Sequence, residues 1–358
     1  MTDPTGPGHP LLLQVSGLHK SYRTAGGGAV AAVDDLSFEL PAGGALGLVG
    51  ESGSGKTTTA RMLVGLERPD AGTILVQGKP LAAAARGREA RLARAKAVQI
   101  VFQDPYLSLD ARITIGATID GTLRLHGLAD RAARAARVAE LLAQVGLGER
   151  EAASLPRGLS GGQRQRAAIA RALAVEPAVL VLDEAVSALD VSVQAQVLNL
   201  LSDIRRDTGI GLVFVSHDLA VVRYICDEAL VLRRGRTMEH RPVPELLARP
   251  EHPYTRLLLA SLPRPGWDPD AIAARRRELA ARGAEGTAGA DGAPGPPAEA
   301  ARRVGRPRRS GGDAPGRRDT CGGALRCYRG LRTRRSDGRR APRCRCTRAR
   351  RGRTRRHR

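Results

Sequence analysis

One stretch of small residues around a single lysine carries the clearest chemistry in this chain. Its members are Gly50, Glu51, Ser52, Gly53, Ser54, Gly55, Lys56, Thr57 and Thr58. Glycines let backbone N–H groups point at an anion without an intervening Cβ, and a following helix N-terminus adds partial positive charge. The spacing predicts a phosphate-binding loop in which Lys56 reaches the terminal phosphates of a nucleotide and Thr57 places its hydroxyl on Mg²⁺.

The segments on either side of this loop are those that such a loop needs. An apolar run, Ala45–Val49, predicts a buried strand before it. A helical pattern runs from about Thr57 to Leu66 after it. A glycine-rich loop with an accidental lysine is the alternative for the stretch alone, and the order of strand, loop and helix favours phosphate binding.

Two consecutive carboxylates follow a second apolar run, Val179–Leu182. Such a run is typical of a strand buried on both faces. We expect Asp183 to hold the hydration shell of Mg²⁺ and Glu184 to lie where a water attacks the γ-phosphate. A helix cap is the structural alternative for one carboxylate at a strand end, but it does not account for two in succession.

A glutamine and a histidine come at the ends of two further apolar strands, Val98–Phe102 and Gly211–Ser216. Ligands of open α/β sheets bind at the carboxyl ends of the strands. Gln103 therefore suits a contact with Mg²⁺ or the attacking water on one side and a mobile segment on the other. We interpret His217 as a sensor of the γ-phosphate, with a purely structural histidine as the alternative.

Small residues also precede a helical run from Arg164 to Ala174, and they predict a second anion site at a helix start. These residues are Ser160, Gly161, Gly162 and Gln163. Near the N-terminus, Tyr22 is the aromatic side chain that we expect to stack on an adenine ring, because stacking needs no contact with the base edges. A core tyrosine is the alternative for Tyr22.

The remaining segments predict antiparallel β structure before the loop and a helical insert of about residues 111–157 after it. The predicted elements are a strand at Leu11–Val15, a strand pair around Ala29–Leu40, a strand at Gly72–Val76, helical structure within 81–97, helices at Arg131–Val145, Val191–Thr208 and Val221–Ile225, and a hairpin-like pair at Ala229–Leu232 with Gly235. Residues 1–10 are expected to form a flexible leader.

The net charge of +22 belongs to one end of the chain. Residues 301–358 hold 23 Arg, no Lys and three acids, whereas the preceding 300 residues carry 35 bases and 33 acids. The front part therefore has the charge of an ordinary globular protein. Only Cys226 of the five cysteines lies there, which excludes a disulfide framework, and we find no signal peptide or membrane-spanning run.

Taken in order, these motifs resemble those of the ATP-binding subunits of ABC transporters over residues 11–262. The signature pentapeptide is the discriminating motif, because other phosphate-loop ATPases lack it. Gln103–Leu109 and His252–Leu258 resemble the dipeptide and oligopeptide uptake group, more its second ATPase than its first. The motifs are Walker A at Gly50–Thr58, the Q-loop at Gln103, the signature at Leu159–Gln163, Walker B at Val179–Glu184, the D-loop at Ser187–Asp190 and the switch histidine at His217.

The resemblance implies an α/β fold: a P-loop NTPase core of mainly parallel sheet, an antiparallel β subdomain and a helical subdomain. It implies hydrolysis of ATP with Mg²⁺, with each nucleotide between the Walker A motif of one subunit and the signature of another, and with Asp190 among the nucleotide-binding residues. The implied partners are a second, different ATPase subunit, two membrane permeases and, indirectly, an extracytoplasmic solute-binding protein. The implied location is the cytoplasmic face of the inner membrane.

The arginine-rich segment, residues 263–358, is expected to be low in complexity and disordered, with one helical pattern at Ala271–Arg282. Cys321 and Cys327 leave an iron–sulfur site open, and the charge leaves a nucleic-acid or anionic-lipid arm open. We favour a tail without selected structure, translated from a shifted reading frame, because arginine occurs there without any lysine.

Two other functions compete with transport. A soluble ABC ATPase acting on nucleic acid or the ribosome usually has two cassettes or a long insertion, whereas this chain has one cassette and a short insert. We therefore expect no specific nucleic-acid partner. An inactive regulatory subunit is disfavoured because Lys56 and Glu184 are both present.

Overall fold

The computed structural model describes residues 10–24, 27–81 and 87–261. Ten strands and ten helices lie in these ranges, with short 3₁₀ turns at Pro105–Leu107 and Pro156–Gly158. The strands are β1 (Leu11–Arg23), β2 (Ala29–Pro41), β3 (Ala45–Val49), β4 (Ala71–Val76), β5 (Lys79–Pro80), β6 (Val98–Phe102), β7 (Val179–Asp183), β8 (Gly211–Ser216), β9 (Glu228–Arg233) and β10 (Arg236–Pro242). The helices are α1 (Lys56–Leu63), α2 (Arg88–Ala97), α3 (Ile115–Leu125), α4 (Arg131–Gln144), α5 (Glu149–Ala152), α6 (Gly161–Leu173), α7 (Val191–Thr208), α8 (Leu219–Ile225), α9 (Val243–Ala248) and α10 (Pro253–Ala260).

The strands form two sheets. The larger has the order β10-β9-β3-β8-β7-β6, and all its pairs are parallel except β9 with β10. The smaller sheet, of order β2-β1-β4-β5, is antiparallel. The predicted α/β core of mainly parallel sheet with an antiparallel β subdomain is confirmed.

The parallel strands β3, β7 and β8 are buried along their whole length and almost entirely apolar, because both faces of their sheet are covered. Along β7, Leu180 and Leu182 belong to a core shared with α6 and α7. Val179 and Val181 point to the opposite face, in a core shared with α1 and the antiparallel sheet. The period of two residues along a strand thus divides one apolar run between two cores.

The antiparallel sheet differs from the prediction at β1 and β2. The expected strand pair around Ala29–Leu40 is wrong, because β2 is one strand that continues through the polar Asp34-Asp35 step. β1 likewise continues past Gly17 to Arg23. Register shifts, with positive φ at Gly17 (57°) and Asp35 (57°), absorb these irregular residues without ending either strand.

The predicted helical insert consists of α3, α4 and α5. Thr114 caps α3 and Asp130 caps α4, each accepting a hydrogen bond from a backbone N–H in the first turn. Apolar residues at helical spacing, among them Ile119, Leu123 and Leu141, are buried toward α6. The insert therefore packs on the helix whose N-terminus carries the signature residues.

Several predictions lie outside the described residues: the leader through residue 9, part of the 81–97 segment, the Ala271–Arg282 helix and the arginine-rich tail. They stay predictions. In the part of the chain that the structure describes, none of the helices is both long enough and apolar enough to cross a bilayer.

A glycine of β4 provides a test of how tightly the antiparallel sheet is packed. Gly72 has φ of 91°, and a Cβ placed there would lie 2.2 Å from the Gly17 carbonyl oxygen. Gly78 has φ of 71° with no atom within 4 Å of such a Cβ. We expect Gly78→Ala to lower the free energy of unfolding by about 1–2 kcal/mol. Gly72→Ala should cost about 1–3 kcal/mol more, because backbone must move.

Urea denaturation of the two variants beside the wild type measures this difference. Equal losses for Gly72→Ala and Gly78→Ala would show that the approach of β4 to β1 is looser than the structure has it.

Candidate nucleotide-binding and hydrolysis site

The predicted site residues meet at one edge of the parallel sheet. Cα pairing aligns Val49 with Ser216, Asp183 with Val215, and Phe102 with Asp183. The carboxyl ends of β3, β8, β7 and β6 are therefore level. The side chains that follow these strands emerge together, as expected for a ligand site in an open α/β sheet.

Two glycines let the loop after β3 pass close to other backbone. A Cβ at Gly50 would lie 2.2 Å from the Leu232 carbonyl oxygen, and one at Gly55 would lie 2.2 Å from that of Ala32. Gly235 also donates its backbone N–H to the Ser54 carbonyl at 3.0 Å. The loop is thus held between β2 and the β9–β10 turn.

The start of α1 has backbone N–H groups that no side chain caps. Gly55 caps the helix with φ of 105° and no side-chain bond, and the first turn holds no acidic residue. The first N–H groups and the positive end of the helix dipole are thus left for an anion. The residue types Gly-Lys-Thr at this position, unlike an Asp or Ser cap, leave that end uncapped.

Lys56 is buried, with 5% of its surface exposed. Its Nζ donates to the Gly50 and Glu51 carbonyl oxygens, each at 2.8 Å. Burial lowers the pKa of Lys56, whereas Glu184, Asp183 and Glu51 oppose that change. The Lys56 ammonium is bonded to loop carbonyls and is poorly solvated by water. Its electrostatic attraction for a bound phosphate is therefore strong.

Asp183 lies at the end of β7 with 8% of its surface exposed. Burial, reinforced by the neighbouring Glu184 charge, raises the pKa of the Asp183 carboxyl. The Thr57 hydroxyl donates to Asp183 Oδ1 at 3.4 Å. A carboxylate whose charge is poorly solvated is well suited to bind a cation.

These oxygens fit the donor preference of Mg²⁺. A hydroxyl and a carboxylate oxygen lie side by side, and Gln103 provides an amide oxygen from the adjacent strand end. Hard oxygen donors of this type, completed by water and phosphate, are the usual Mg²⁺ environment at nucleotide sites. The chain thus has the residues for a Mg²⁺ ion that a bound nucleotide would share.

Glu184 and His217 form a pair across β7 and β8. His217 Nδ1 lies 3.3 Å from Glu184 Oε1. Because a carboxylate can only accept a hydrogen bond, Nδ1 is the donor in this pair, and Nε2 takes no part in it. Glu184 has φ of 51° and donates its backbone N–H to Val215. Its strained backbone turns the side chain toward His217, and such strain is typical of functional positions.

Gln103 connects to Glu184 through Ser187, which the sequence analysis names as the first residue of the D-loop motif but gives no role of its own. The Gln103 side-chain amide donates to the Ser187 hydroxyl at 3.2 Å, and Ser187 donates to the Glu184 carbonyl at 2.9 Å. The position of Ser187 three residues after Glu184 is the signal that could have identified it. A displacement of Gln103 can therefore reach the backbone of Glu184.

The signature residues lie at the start of α6, whose first turns contact the end of β6, since the Gln165 side-chain amide donates to the Phe102 carbonyl at 3.4 Å. Ser160 and Gln163 form a capping box at the start of α6, in which each side chain accepts from the other residue's backbone N–H. Gly161 and Gly162 face Leu189 and Val193 at the beginning of α7. Asp190 caps α7 by accepting from Val193 N at 2.9 Å. Ser160 and Asp190 therefore each have a structural role as helix caps, in addition to the roles predicted for them.

Tyr22 lies near the end of β1 and is 41% exposed. Its backbone pairs with Val30, two residues before the Ala32 carbonyl that touches the loop at Gly55. The Lys20 ammonium lies 5.5 Å from the Tyr22 ring centroid. The cation covers one face of the ring, and the exposed ring surface is available for a base.

The structure also places in the site three groups that sequence reasoning missed. They are the backbone carbonyls of Ala32 and Leu232 and the side chain of Tyr254, whose hydroxyl accepts from Glu51 N at 3.3 Å. Backbone contacts carry no sequence signal. Tyr254 stands 203 residues from Glu51, and only its place in the His252-Pro253-Tyr254 segment marked it.

The charge of Asp183 gives a prediction for stability against pH. Because the folded-state pKa is raised, the folded protein binds this proton more tightly than the unfolded chain does. Stability is therefore lost as the pH rises above the unfolded value of about 3.9. Asp183→Asn should raise the melting temperature of the nucleotide-free protein at pH 7, and this advantage should shrink toward pH 4.

Asp190→Asn is the matched control, because hydrogen bonds from Val193 and Ser192 lower the pKa of Asp190. Its ionised form stabilises the fold, so removing the charge should not raise the melting temperature at pH 7. Thermal unfolding at the two pH values measures both variants. A lower melting temperature for Asp183→Asn at pH 7 would contradict the prediction.

Comparison with known sequences agrees with this geometry. The family model of ABC transporters matches residues 33–187. A putative peptide import ATP-binding protein of Brucella ovis is 47% identical over 265 residues, which cover 74% of this chain and 82% of that protein. The oligopeptide transport ATP-binding protein OppF of Bacillus subtilis is 44% identical over 271 residues, which cover 75% of this chain and 87% of OppF.

Solved structures agree as well. The dimeric post-hydrolysis state of the ATP-binding cassette MJ0796, bound to ADP and Pi, superimposes with a TM-score of 0.59 at 26% identity, covering 65% of this chain and 99% of that one. The protein cbiO1 of Clostridium perfringens, part of the transporter complex cbiONQ, has a TM-score of 0.59 at 27% identity, covering 67% and 92%. The chain therefore belongs to the ABC transporter family, in which it is an ATP-binding subunit that hydrolyses ATP.

Proposed function

We propose that this ATPase powers an importer of dipeptides, oligopeptides or chemically related small solutes. The observation that carries the proposal is the 44–47% identity, over about three quarters of the chain, to proteins named for peptide import and oligopeptide transport. The likeness extends over the whole cassette. Dipeptides, longer peptides and nickel chelates remain within the proposal, because the solute is selected by a binding protein and permease rather than by the ATPase.

In the proposed mechanism, the Lys56 ammonium and backbone N–H groups of the loop at Gly50–Thr58, other than the Glu51 N–H that donates to Tyr254, bind the phosphates of ATP. Thr57, Asp183 and Gln103 would hold Mg²⁺, which supplies charge neutralisation of the β- and γ-phosphates. Lys56 exchanges its loop carbonyl acceptors for phosphate oxygens. This exchange is favourable because the ammonium is already buried and its hydration has been removed.

Glu184 is proposed as the group that orients and deprotonates the attacking water. The imidazole of His217 lies against the Glu184 carboxylate through Nδ1, and a ring with protons on both nitrogens would donate from Nδ1 to Glu184 and from Nε2 to the γ-phosphate. Ser187 links Gln103 to the Glu184 backbone. Movement at the Gln103 loop would thereby alter the position of the catalytic carboxylate.

A second ATPase subunit is proposed to complete the site. The signature residues Ser160–Gln163 begin α6, and the N-terminus of this helix, with the Ser160 hydroxyl as a donor, would bind another subunit's nucleotide. The dimeric state of the related cassette MJ0796 supports this arrangement. Following the resemblance to the second ATPase of the peptide group, we propose that the partner subunit is a different chain.

The permease contact is proposed on the surface near the Gln103 loop and the helical insert. Large apolar side chains are exposed there, which is uncommon without a partner. These are Tyr106, Leu107, Ile113, Leu125 and Leu128. Two permease subunits would take this surface from the cytoplasmic face of the inner membrane, with an extracytoplasmic solute-binding protein delivering the solute to them.

Glu184→Gln tests the catalytic assignment. The amide cannot accept the proton of the water, so ATP hydrolysis should fall at least about 100-fold. Binding of MgATP should persist, because the loop, Lys56 and Asp183 are unchanged, and a closed dimer with the second subunit should accumulate. Steady-state turnover and size-exclusion chromatography with MgATP measure both. Near-normal turnover would remove Glu184 from its proposed role.

Reconstitution tests the transport assignment. The full chain, its second ATPase and the permease pair encoded by neighbouring genes would be placed in lipid vesicles with the solute-binding protein. We expect ATP hydrolysis to rise several-fold when the binding protein carries a peptide, and the Glu184→Gln complex to show no rise. Stimulation by RNA or DNA in place of peptide would instead favour a soluble ATPase acting on nucleic acid.

A further inference from the structure

Tyr254, near the end of the described residues, contacts the loop of residues 50–58, here called the nucleotide loop. The backbone N–H of Glu51 donates to the Tyr254 hydroxyl at 3.3 Å. Tyr254 is among the largest fully buried side chains, with 1% of its surface exposed. A buried phenol that bonds a loop amide fixes the direction in which that amide can point.

Glu239 holds the segment that carries this tyrosine. The buried Glu239 carboxylate accepts the backbone N–H groups of Glu251 and His252, at 2.9 and 3.0 Å. His252 then caps α10 by accepting from Tyr254 N at 3.1 Å. The start of α10 is therefore anchored on β10, and the hydroxyl of Tyr254 is presented at a set position.

The ring of Tyr254 is also held from β9. The Arg233 guanidinium lies 4.9 Å from the ring centroid, in a cation–π contact. Arg233 follows Leu232, whose carbonyl excludes any side chain at Gly50. The same strand end thus supports the loop directly at Gly50 and indirectly at Glu51.

An open cavity borders the first half of the loop at this point. It has a volume of about 420 Å³, and its lining includes residues 51–54, Arg233, Tyr254 and Leu257. Space on this side allows the first half of the loop to relax outward. The bond between Tyr254 and the Glu51 amide opposes that relaxation.

We propose that Tyr254 is a positioning residue that keeps the first half of the nucleotide loop in its phosphate-binding shape before the nucleotide arrives. A preorganised loop binds more tightly because less ordering accompanies binding. The proposal rests on the proposed nucleotide site at residues 50–58. By linkage, nucleotide binding also stabilises the docking of α10, since each event favours the other equally.

Tyr254→Phe tests this role in the full-length protein, because it removes the hydroxyl and keeps the ring on Arg233. We expect the affinity for MgADP to fall about two- to tenfold, the effect of one neutral hydrogen bond. The KM for MgATP should rise by a similar factor, whereas kcat at saturating MgATP should stay within about twofold. Equilibrium binding and steady-state kinetics measure the two effects.

Tyr224→Phe is the matched control, since Tyr224 bonds Asn199 between α7 and α8 and takes no part in the loop contact. It should leave the affinity for MgADP unchanged. Hydrogen exchange adds a second measurement: MgADP should slow exchange in α10 of the wild type, and less so in Tyr254→Phe.

Lys56→Ala separates the two levels of the proposal. If the wild type binds MgADP and Lys56→Ala does not, the nucleotide site holds. Affinity of Tyr254→Phe equal to that of the wild type would then overturn the positioning role alone. Failure of the wild type to bind MgADP would overturn the nucleotide site itself. Equal affinity of Lys56→Ala and a wild type that does bind would overturn it as well.

Discussion

The site depends on the close approach of two backbone segments to the nucleotide loop, residues 50–58. Carbonyl oxygens of Ala32 and Leu232 occupy the volume that side chains at Gly55 and Gly50 would fill. The antiparallel sheet and the β9–β10 turn therefore determine the shape of the loop. A loop held this way has a fixed backbone shape without a ligand, and such preorganisation favours anion binding.

The charged side chains of the site are also held in place before a ligand binds. Burial lowers the pKa of Lys56 and raises that of Asp183; the nearby Glu184 charge opposes the change at Lys56 and reinforces the change at Asp183. The protein maintains these charges at a cost in stability, and a phosphate and a divalent cation would each relieve part of it. Functional sites commonly trade stability for such poised groups.

The layers around the parallel sheet explain how movement can reach the chemistry. Gln103, Ser187 and Glu184 form a hydrogen-bonded series from the loop after β6 to the backbone of the carboxylate that we propose as catalytic. On the other flank, Glu239 and Tyr254 connect β10 and α10 to the nucleotide loop. The loop at Gln103 and helix α10, which lie far apart in the sequence, thus both connect to this site.

The sequence by itself determined the elements whose signal is local. Four or more apolar residues in succession predicted β7 and β8, and glycine spacing with Lys56 predicted the loop and the strand and helix beside it. The residue types at the strand ends predicted which chemistry they carry. Only the tertiary structure decided the strand order, the single course of β2 through its register shifts, and the bond between Glu51 and Tyr254. Those features depend on contacts between residues far apart in the chain, and a local pattern carries no information about which distant backbone carbonyl or hydroxyl will meet it.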